Sequence, residues 1–204
     1  MADLQSLELL KRGAAAAGVE ELILRRWSPR AFAGCDVPAA DLKVIFEAAG
    51  WAASSFNEQP WRFLVGRNGD ETYQKILGSL IEFNQLWAKG APVLILSLAA
   101  TVFHGNGRPN GSAMHDLGAA TAYLSLQAIA LGLHTHSMAG FDKQKAREAF
   151  GVPDDFEIGV VTALGYLGDP STLLDKMQAQ ELAPRIRKPL TETVFKGWGT
   201  PFDL

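Results

Sequence analysis

Three arginines stand within six residues in the run Arg25-Arg26-Trp27-Ser28-Pro29-Arg30, and no carboxylate lies among them. Guanidinium groups are rigid forks of N–H donors that match phosphate oxygens. A serine hydroxyl and free backbone N–H groups complete a cradle for such an anion, and Pro29 keeps a helix from running through it. A second basic run, Arg185-Ile186-Arg187-Lys188-Pro189, lies near the other end of the chain. A solvated basic turn has the same composition. If the two runs meet in the fold, four or five cations converge on one anion.

The other reactive side chains are sparse. Cys35 is the single cysteine, so neither an intrachain disulfide nor a cysteine metal cluster can form; it reads as a small packed residue. His134 and His136 alternate as they would on one side of a strand, but a third ligand is lacking nearby, so no metal site is expected. His104 and His115 flank a glycine-rich stretch and read as solvated. Trp61, Phe63 and Met138 read as core, and Tyr166 as a candidate substrate contact.

These groups need elements to position them. Asp3 reads as the N-cap of a short helix over 3–12, followed by an alanine-rich interruption from Gly13 to Gly18 and a further turn over Glu20–Arg25. Asp41 reads as the cap of a helix with Leu42, Ile45, Phe46 and Ala49 on one face, running to about Ala52. A polar loop, Ser54–Pro60, leads into a strand over Trp61–Gly66. From Asp70 a helical stripe of Tyr73, Ile76, Leu77, Leu80 and Ile81 predicts one helix reaching Asn84 or Trp87. Val93–Leu98 is a continuous apolar run suited to a central strand. Residues 103–112 predict a mobile loop, a candidate substrate lid. Asp116 opens an apolar helix to Leu131 that serves the core and a subunit interface. A strand over Leu133–Met138, a helix capped by Asp142 and ended by Gly151, and a strand over Ile158–Leu164 follow. Residues 185–204 are too apolar for a disordered tail and too irregular to hold themselves together, which predicts a segment wrapped over a partner subunit. Alternating helices and strands give one α+β or α/β domain over 1–204 with one sheet.

Composition sets the outer limits. The chain has 204 residues, 48% of them hydrophobic and 20% charged, with a formal net charge of −3. That balance excludes nucleic-acid or membrane-surface binding by bulk electrostatics, so basic chemistry must be local. No apolar run approaches a membrane span, and the start of the chain lacks the pattern of a signal peptide. A reducing cytoplasm is the expected location.

Four separated motifs resemble the nitroreductase family of FMN-dependent oxidoreductases. They are Arg26-Trp27-Ser28-Pro29-Arg30-Ala31-Phe32; Ser54-Ser55-Phe56-Asn57-Glu58-Gln59-Pro60-Trp61-Arg62-Phe63; Leu131-Gly132-Leu133 through Ala139-Gly140-Phe141; and Arg185-Ile186-Arg187-Lys188-Pro189-Leu190-Thr191-Glu192 with Trp198-Gly199. The resemblance implies an α+β fold with a central, mostly antiparallel sheet flanked by helices, in an intertwined homodimer with two FMN sites at its interface. It implies that Arg26, Ser28, Arg185 and Arg187 hold the FMN phosphate and ribityl chain, with Trp27 contributing backbone contacts. Arg30 would approach the N1/O2 edge of the flavin, and Asn84 its pyrimidine. Ala139 and Gly140 would offer N–H groups to N5 and O4. Ser54, Ser55 and Asn57 would meet the ring, the serines from the other subunit. Many members carry an acidic residue where Ala139 stands, and some a lysine where Trp87 stands, which leaves Arg30 as the cation near N1.

That assignment suits the chemistry. Arginines neutralise a dianionic phosphate, each charge-assisted contact contributing about 1.5–3 kcal/mol, and a fixed cation at the N1/O2 edge stabilises the reduced ring. The expected reaction is ping-pong hydride transfer, in which NADH or NADPH reduces FMN and a nitroaromatic, quinone or enone-like acceptor reoxidises it. The alternatives are a specialised relative that dehalogenates or cleaves with the same flavin, and a flavin-binding or storage protein without NAD(P)H turnover.

Overall fold

Four strands frame the molecule: β1 (Trp61–Arg67), β2 (Val93–Ala100), β3 (His134–Met138) and β4 (Phe156–Gly165). The computed structural model describes residues 3–12 and 18–204. The strands form one sheet in the order β1-β2-β4-β3, each neighbouring pair antiparallel. The apolar run of β2 lies at its centre and is buried from Val93 to Ala99.

Alternation along β2 divides the core in two, because successive side chains leave opposite faces. Leu94, Leu96 and Leu98 join Tyr73, Ile76, Trp87 and Val161 on one face, while Val93, Ile95 and Ala99 join Ile45, Ala49, Leu117 and Leu124 on the other. Across from Leu96 and Leu98, the partners on β4 are Val161 and Ile158, so two steps face three. This bulge brings Ile158 back to the same face as Val161. The Ser97 hydroxyl closes the gap: Oγ donates to the Val160 carbonyl at 2.9 Å and accepts from its N–H at 3.0 Å.

Helices cover both faces. On one side lie α3 (Ala39–Gly50) and α6 (Ala113–Ala130). On the other lie α4 (Glu71–Ser79), α5 (Glu82–Ala88) and α7 (Lys143–Phe150). The remaining helices are α1 (Leu4–Arg12), α2 (Glu21–Arg25) and α8 (Asp175–Leu182). The caps at Asp3, Asp70 and Asp142 are made as their sequence implies: Asp3 Oδ1 accepts from the Gln5 N–H, Asp70 Oδ1 from Tyr73 and Asp142 Oδ1 from Lys145. Two starts differ from expectation. α3 begins after Pro38, leaving Asp41 inside its first turn, and α6 begins three residues before Asp116. The alanine-rich interruption expected from Gly13 lies, up to residue 17, outside the described residues.

The helix expected from Asp70 to Asn84 or Trp87 is two helices. Leu80 and Ile81 are extended, with ψ of 148° and 152°. Tertiary bonds take this backbone out of the helix: Leu80 bridges Phe141, and the Ile81 N–H donates to the Gly140 carbonyl at 3.1 Å. The break starts α5 beside Gly140.

Residues 103–112, expected to be mobile, close on themselves. The Phe103 N–H donates to the Arg108 carbonyl at 2.8 Å, and Val102 bridges Pro109. The last segment carries a short hairpin of β5 (Phe195–Gly197) and β6 (Thr200–Pro201), turning at Gly199 with φ 77°. Every residue from 186 to 204 is exposed, Trp198 completely. No helix among the described residues is long and apolar enough to cross a membrane.

Residues 31–33 lie against the end of β4. Phe32 bridges Leu167, and the Gly168 N–H donates to the Ala31 carbonyl at 2.9 Å. A Cβ on Gly168 would fall 2.5 Å from the Phe32 carbonyl carbon and oxygen, where only backbone could yield. Gly168→Ala is therefore expected to cost about 1–3 kcal/mol in urea unfolding, whereas Gly34→Ala, with open space around it, should stay within roughly 0.5 kcal/mol of wild type.

Candidate functional site

The two basic runs meet. A cavity of about 270 Å³ is lined by Lys11, Arg26, Trp27, Ser28, Arg185 and Arg187, with no carboxylate in its wall. The Arg26 Nη1 donates to Ser28 Oγ at 3.2 Å. Burial, and then Arg187, hold the Arg26 guanidinium below the usual arginine range; burial, Arg187 and Arg26 do the same to Arg185. Cations crowded in this way without a counter-charge suit a phosphate-like dianion.

The members of this cluster divide their work. Arg185 donates to the carbonyls of Arg26, of Leu24 at 2.5 Å and of Arg12 at 3.1 Å. It is a strut that binds the start of the last segment to the loop after α2. Arg187 is exposed, and its one internal hydrogen bond among the described residues is to the neighbouring Ile186 carbonyl. Lys11 of α1 is buried; its Nζ donates to the carbonyls of Gln180 and Ala183 and sits 4.9 Å from the Trp27 ring centroid.

Beyond Ser28 the loop runs to Arg30. Its backbone is held by Glu181 of α8, whose Oε1 accepts from the Arg30 N–H at 2.8 Å and from the Ala31 N–H at 3.0 Å. Glu181 is only 2% exposed, and burial pushes its carboxyl above the usual range, against the pull of those two N–H groups. Arg30 Nε is buried and has no hydrogen-bond partner among the described residues. His136 Nδ1 lies 2.9 Å from the Pro29 carbonyl, and the His136 ring packs 4.5 Å from that of Trp87. Burial lowers the His136 pKa to about 4, so at neutral pH it donates Nδ1–H to Pro29 as a neutral imidazole. Trp87 Nε1 donates to Asn84 Oδ1 at 3.3 Å, and Asn84 Nδ2 donates to the Gly140 carbonyl at 2.9 Å. The amide of Asn84 is thereby oriented. A Cβ on Gly140 would fall 2.5 Å from Asn84 Nδ2, so this close approach requires glycine. Ala139, beside it, is exposed.

Ser54, Ser55 and Asn57 stand elsewhere. They precede β1 at one edge of the sheet, whereas Ala139 and Gly140 follow β3 at the other. Three strand spacings separate the edges, about 14 Å. The loop is strained: Phe56, Asn57 and Gln59 have φ of 53°, 55° and 51°, a region that costs about 1–2 kcal/mol for a residue with a Cβ. Local bonds hold it. The Ser55 N–H donates to Asp116 Oδ2 at 3.0 Å and the Gln59 N–H to Ser54 Oγ at 3.0 Å. Asp116, in the first turn of α6, is itself buried. Thus Arg26, Trp27, Ser28, Arg30, Asn84, Ala139, Gly140, Arg185 and Arg187 gather on one side of the chain, and Ser54, Ser55 and Asn57 do not join them.

The nitroreductase family model matches residues 23–166, a span that holds both loops, Asn84 and Gly140. The chain belongs to the nitroreductase family. It is similar to a solved structure described as an oxidoreductase containing FMN, with 37% identity, a TM-score of 0.85 and coverage of 90% of this chain and 94% of that one. A 15.4 kDa protein of Mycolicibacterium smegmatis without assigned function is 38% identical over 152 residues, 69% of this chain and 99% of that protein. A Stenotrophomonas maltophilia protein provisionally named NADH dehydrogenase/NAD(P)H nitroreductase is 29% identical over 180 residues, 79% of this chain and 91% of its own.

Several residues of this nitroreductase-family site carried no sequence signal. Lys11 and Glu181 each sit in a helix of mixed polarity and look solvated until α1 and α8 are docked. Asp116 looked like a helix cap and is instead the anchor of the Ser55 loop. One reading is corrected: Cys35 is exposed, not packed. Tyr166 is partly buried against the core face under α3 and α6, with its carbonyl accepting from the Ala33 N–H. Trp61 and Met138 are buried in the two cores as expected. His134 is buried against Trp27, with ring centroids 6.0 Å apart. Glu8 lies 3.7 Å from its Nε2, too far for a hydrogen bond. Burial, with Arg25 and Arg26 nearby, lowers its pKa to about 4.

These histidines set a pH dependence. Their folded pKa values lie below the unfolded value near 6.5, so between pH 6.5 and 4 the unfolded chain binds more protons and stability falls as pH falls. The limit is about 1.4 kcal/mol per pH unit for each histidine. The raised carboxyl of Glu181 acts in the opposite direction, so a comparison isolates the effect: urea unfolding from pH 7 to 4.5 should show a shallower loss of stability in His134→Phe than in wild type.

Proposed function

We propose that this chain is an FMN-dependent oxidoreductase that passes hydride from NADH or NADPH to a small electrophilic acceptor, a nitroaromatic, quinone or enone, by a ping-pong mechanism. The observation that carries the reading is the carboxylate-free cation cavity built from both ends of the chain. Two further features fit the same cofactor. Arg30 offers a buried, unpartnered Nε among the described residues, and the Gly140 N–H has no acceptor among them.

In this reading Arg26, Ser28 and Arg187 hold the phosphate, with Trp27 contributing backbone. Arg185, bonded to three carbonyls, mainly fixes the shape of the cradle. Arg30, its backbone clamped by Glu181, presents a positive charge to the N1/O2 edge of the ring. That charge favours the reduced ring electrostatically. Asn84 meets the pyrimidine, and the Ala139 and Gly140 N–H groups face N5 and O4. When bound, FMN supplies the two-electron exchange between nicotinamide and acceptor. The chain itself supplies binding and electrostatics: His136 is neutral and its Nδ1–H is committed to Pro29, so it orients the loop and takes no part in proton transfer.

A homodimer is part of the proposal. Ser54, Ser55 and Asn57 lie about 14 Å of sheet width from Gly140, so a partner chain is the natural source of that contact. Segment 185–204, exposed from Ile186 onward with Leu190, Phe195 and Trp198 outward, wraps the partner as an extension of the single domain. NAD(P)H and the acceptor are the small-molecule partners, and a reducing cytoplasm suits the lone exposed thiol.

The test is the visible spectrum of the purified protein, followed by NADH and NADPH added separately without oxygen. A flavin band that bleaches supports the reading and names the donor. A bound flavin that stays oxidised favours a binding or storage protein; no flavin even after FMN is added overturns the assignment. Arg187→Ala is expected to weaken FMN binding by roughly 10–100-fold, the loss of one charge-assisted contact, measured by flavin fluorescence on titration.

A further inference from the structure

A second cavity, of about 510 Å³, opens between the Ser54–Asn57 loop and the turn at 103–109. Its size falls within the range of small-molecule sites. Phe56, Glu58, Phe103, Arg108 and Pro109 line it, with Gly105 and Asn106. The left-handed backbone at Phe56 and Asn57 holds the Phe56 ring away from the core, 92% exposed. It meets Phe103 edge to face, 83° between planes and 5.8 Å between centroids. Such an angled pair offers a flat ring one face and one edge.

The polar groups in the wall are unequal. Glu58 is the only acid there, and its Oε1 already accepts from the His104 N–H at 2.7 Å, latching the two loops together. Arg108 is the only cation in the wall. Its backbone is fixed: its N–H donates to Asn106 Oδ1 at 2.9 Å, and its carbonyl accepts from the Phe103 N–H at 2.8 Å. Among the described residues its guanidinium has no ion pair and no hydrogen bond. A guanidinium on a fixed base beside two aromatic rings recognises a planar carboxylate through two parallel N–H bonds.

We propose that this cavity binds a flat aromatic acceptor that carries a carboxylate, the ring lying against the angled pair of Phe56 and Phe103 and the carboxylate on Arg108. The binding site stands on its own geometry. That its occupant is reduced rests on the function proposed above, which brings a flavin ring to the neighbouring Ser54, Ser55 and Asn57. For a nitro acceptor the first two-electron step is ArNO2 + NAD(P)H + H⁺ → ArNO + NAD(P)⁺ + H2O, with the nicotinamide as reductant and one oxygen leaving as water.

The test compares 4-nitrobenzoate with its neutral analogue 4-nitrobenzamide. Calorimetry on the purified protein with its flavin, without reductant, should show the acid binding at least ~10-fold more tightly, the worth of one good charged contact. Arg108→Gln should erase the preference and Arg108→Lys restore part of it, with the flavin absorbance of each variant reporting an intact fold. Equal binding of acid and amide by wild type overturns the proposal, as does a preference that survives Arg108→Gln. A preference for the acid in a protein whose flavin does not bleach with NAD(P)H would support this site while overturning the reductase reading.

Discussion

The clamp of Glu181 on residues 30 and 31 is the interaction on which the rest depends. The segment from Arg26 to Ala33 forms neither helix nor a full strand, so its backbone groups need partners from elsewhere. Glu181 takes two N–H groups, Arg185 takes carbonyls before and within the segment, His136 takes the Pro29 carbonyl, and the turn at Tyr166–Gly168 bonds to Ala31 and Ala33. Burying a carboxylate is expensive and is offset only when its oxygens are hydrogen-bonded. Here that cost fixes the course of a loop whose Arg26 and Ser28 line the cation-rich cavity, with Arg30 beyond it. Helix α8 and the start of the last segment therefore shape the loop and the cavity beside it, although they lie outside the span matched by the family model.

The frame was largely legible in the sequence. The unbroken apolar run at Val93 suits a strand covered on both sides, and the caps at Asp3, Asp70 and Asp142, together with Gly151, bracket their helices by local rules. The meeting of the two arginine runs could be anticipated because residue type carries the chemistry, whereas Ser54, Ser55 and Asn57 are legible only through the family resemblance. What could not be read was imposed from a distance. The stripe through Leu80 and Ile81 continues a helical pattern without a flaw, and the break comes from Phe141 and Gly140, some sixty residues on. Arg185 reads as a phosphate ligand by type, yet its donors go to three carbonyls. Cys35 reads as packed because cysteine usually is, but it falls on an exposed connection where no core reaches it.

The named residues divide between opposite edges of one sheet, so a single chain does not bring them together. One edge ends in a glycine and an oriented amide; the other begins in a strained, polar turn. A rigid four-stranded sheet cannot bring its edges together. Strain at Phe56, Asn57 and Gln59 is tolerated because Asp116, Ser54 and the 103–109 turn hold the loop from below, so its exposed surface is set before anything binds there.

The interruption at Leu80–Ile81 has a consequence for how such a chain can change over time. In a continuous helix, the direction of Asn84 would be locked to the phase of Tyr73 and Ile76, and any repacking of that core would rotate the amide. The extended pair resets the phase, and Gly140 supplies the new reference point. Core packing in α4 and recognition in α5 become separable modules. The hydrophobic stripe is free to drift among residues of similar volume, while Asn84 keeps its aim for as long as position 140 remains without a side chain.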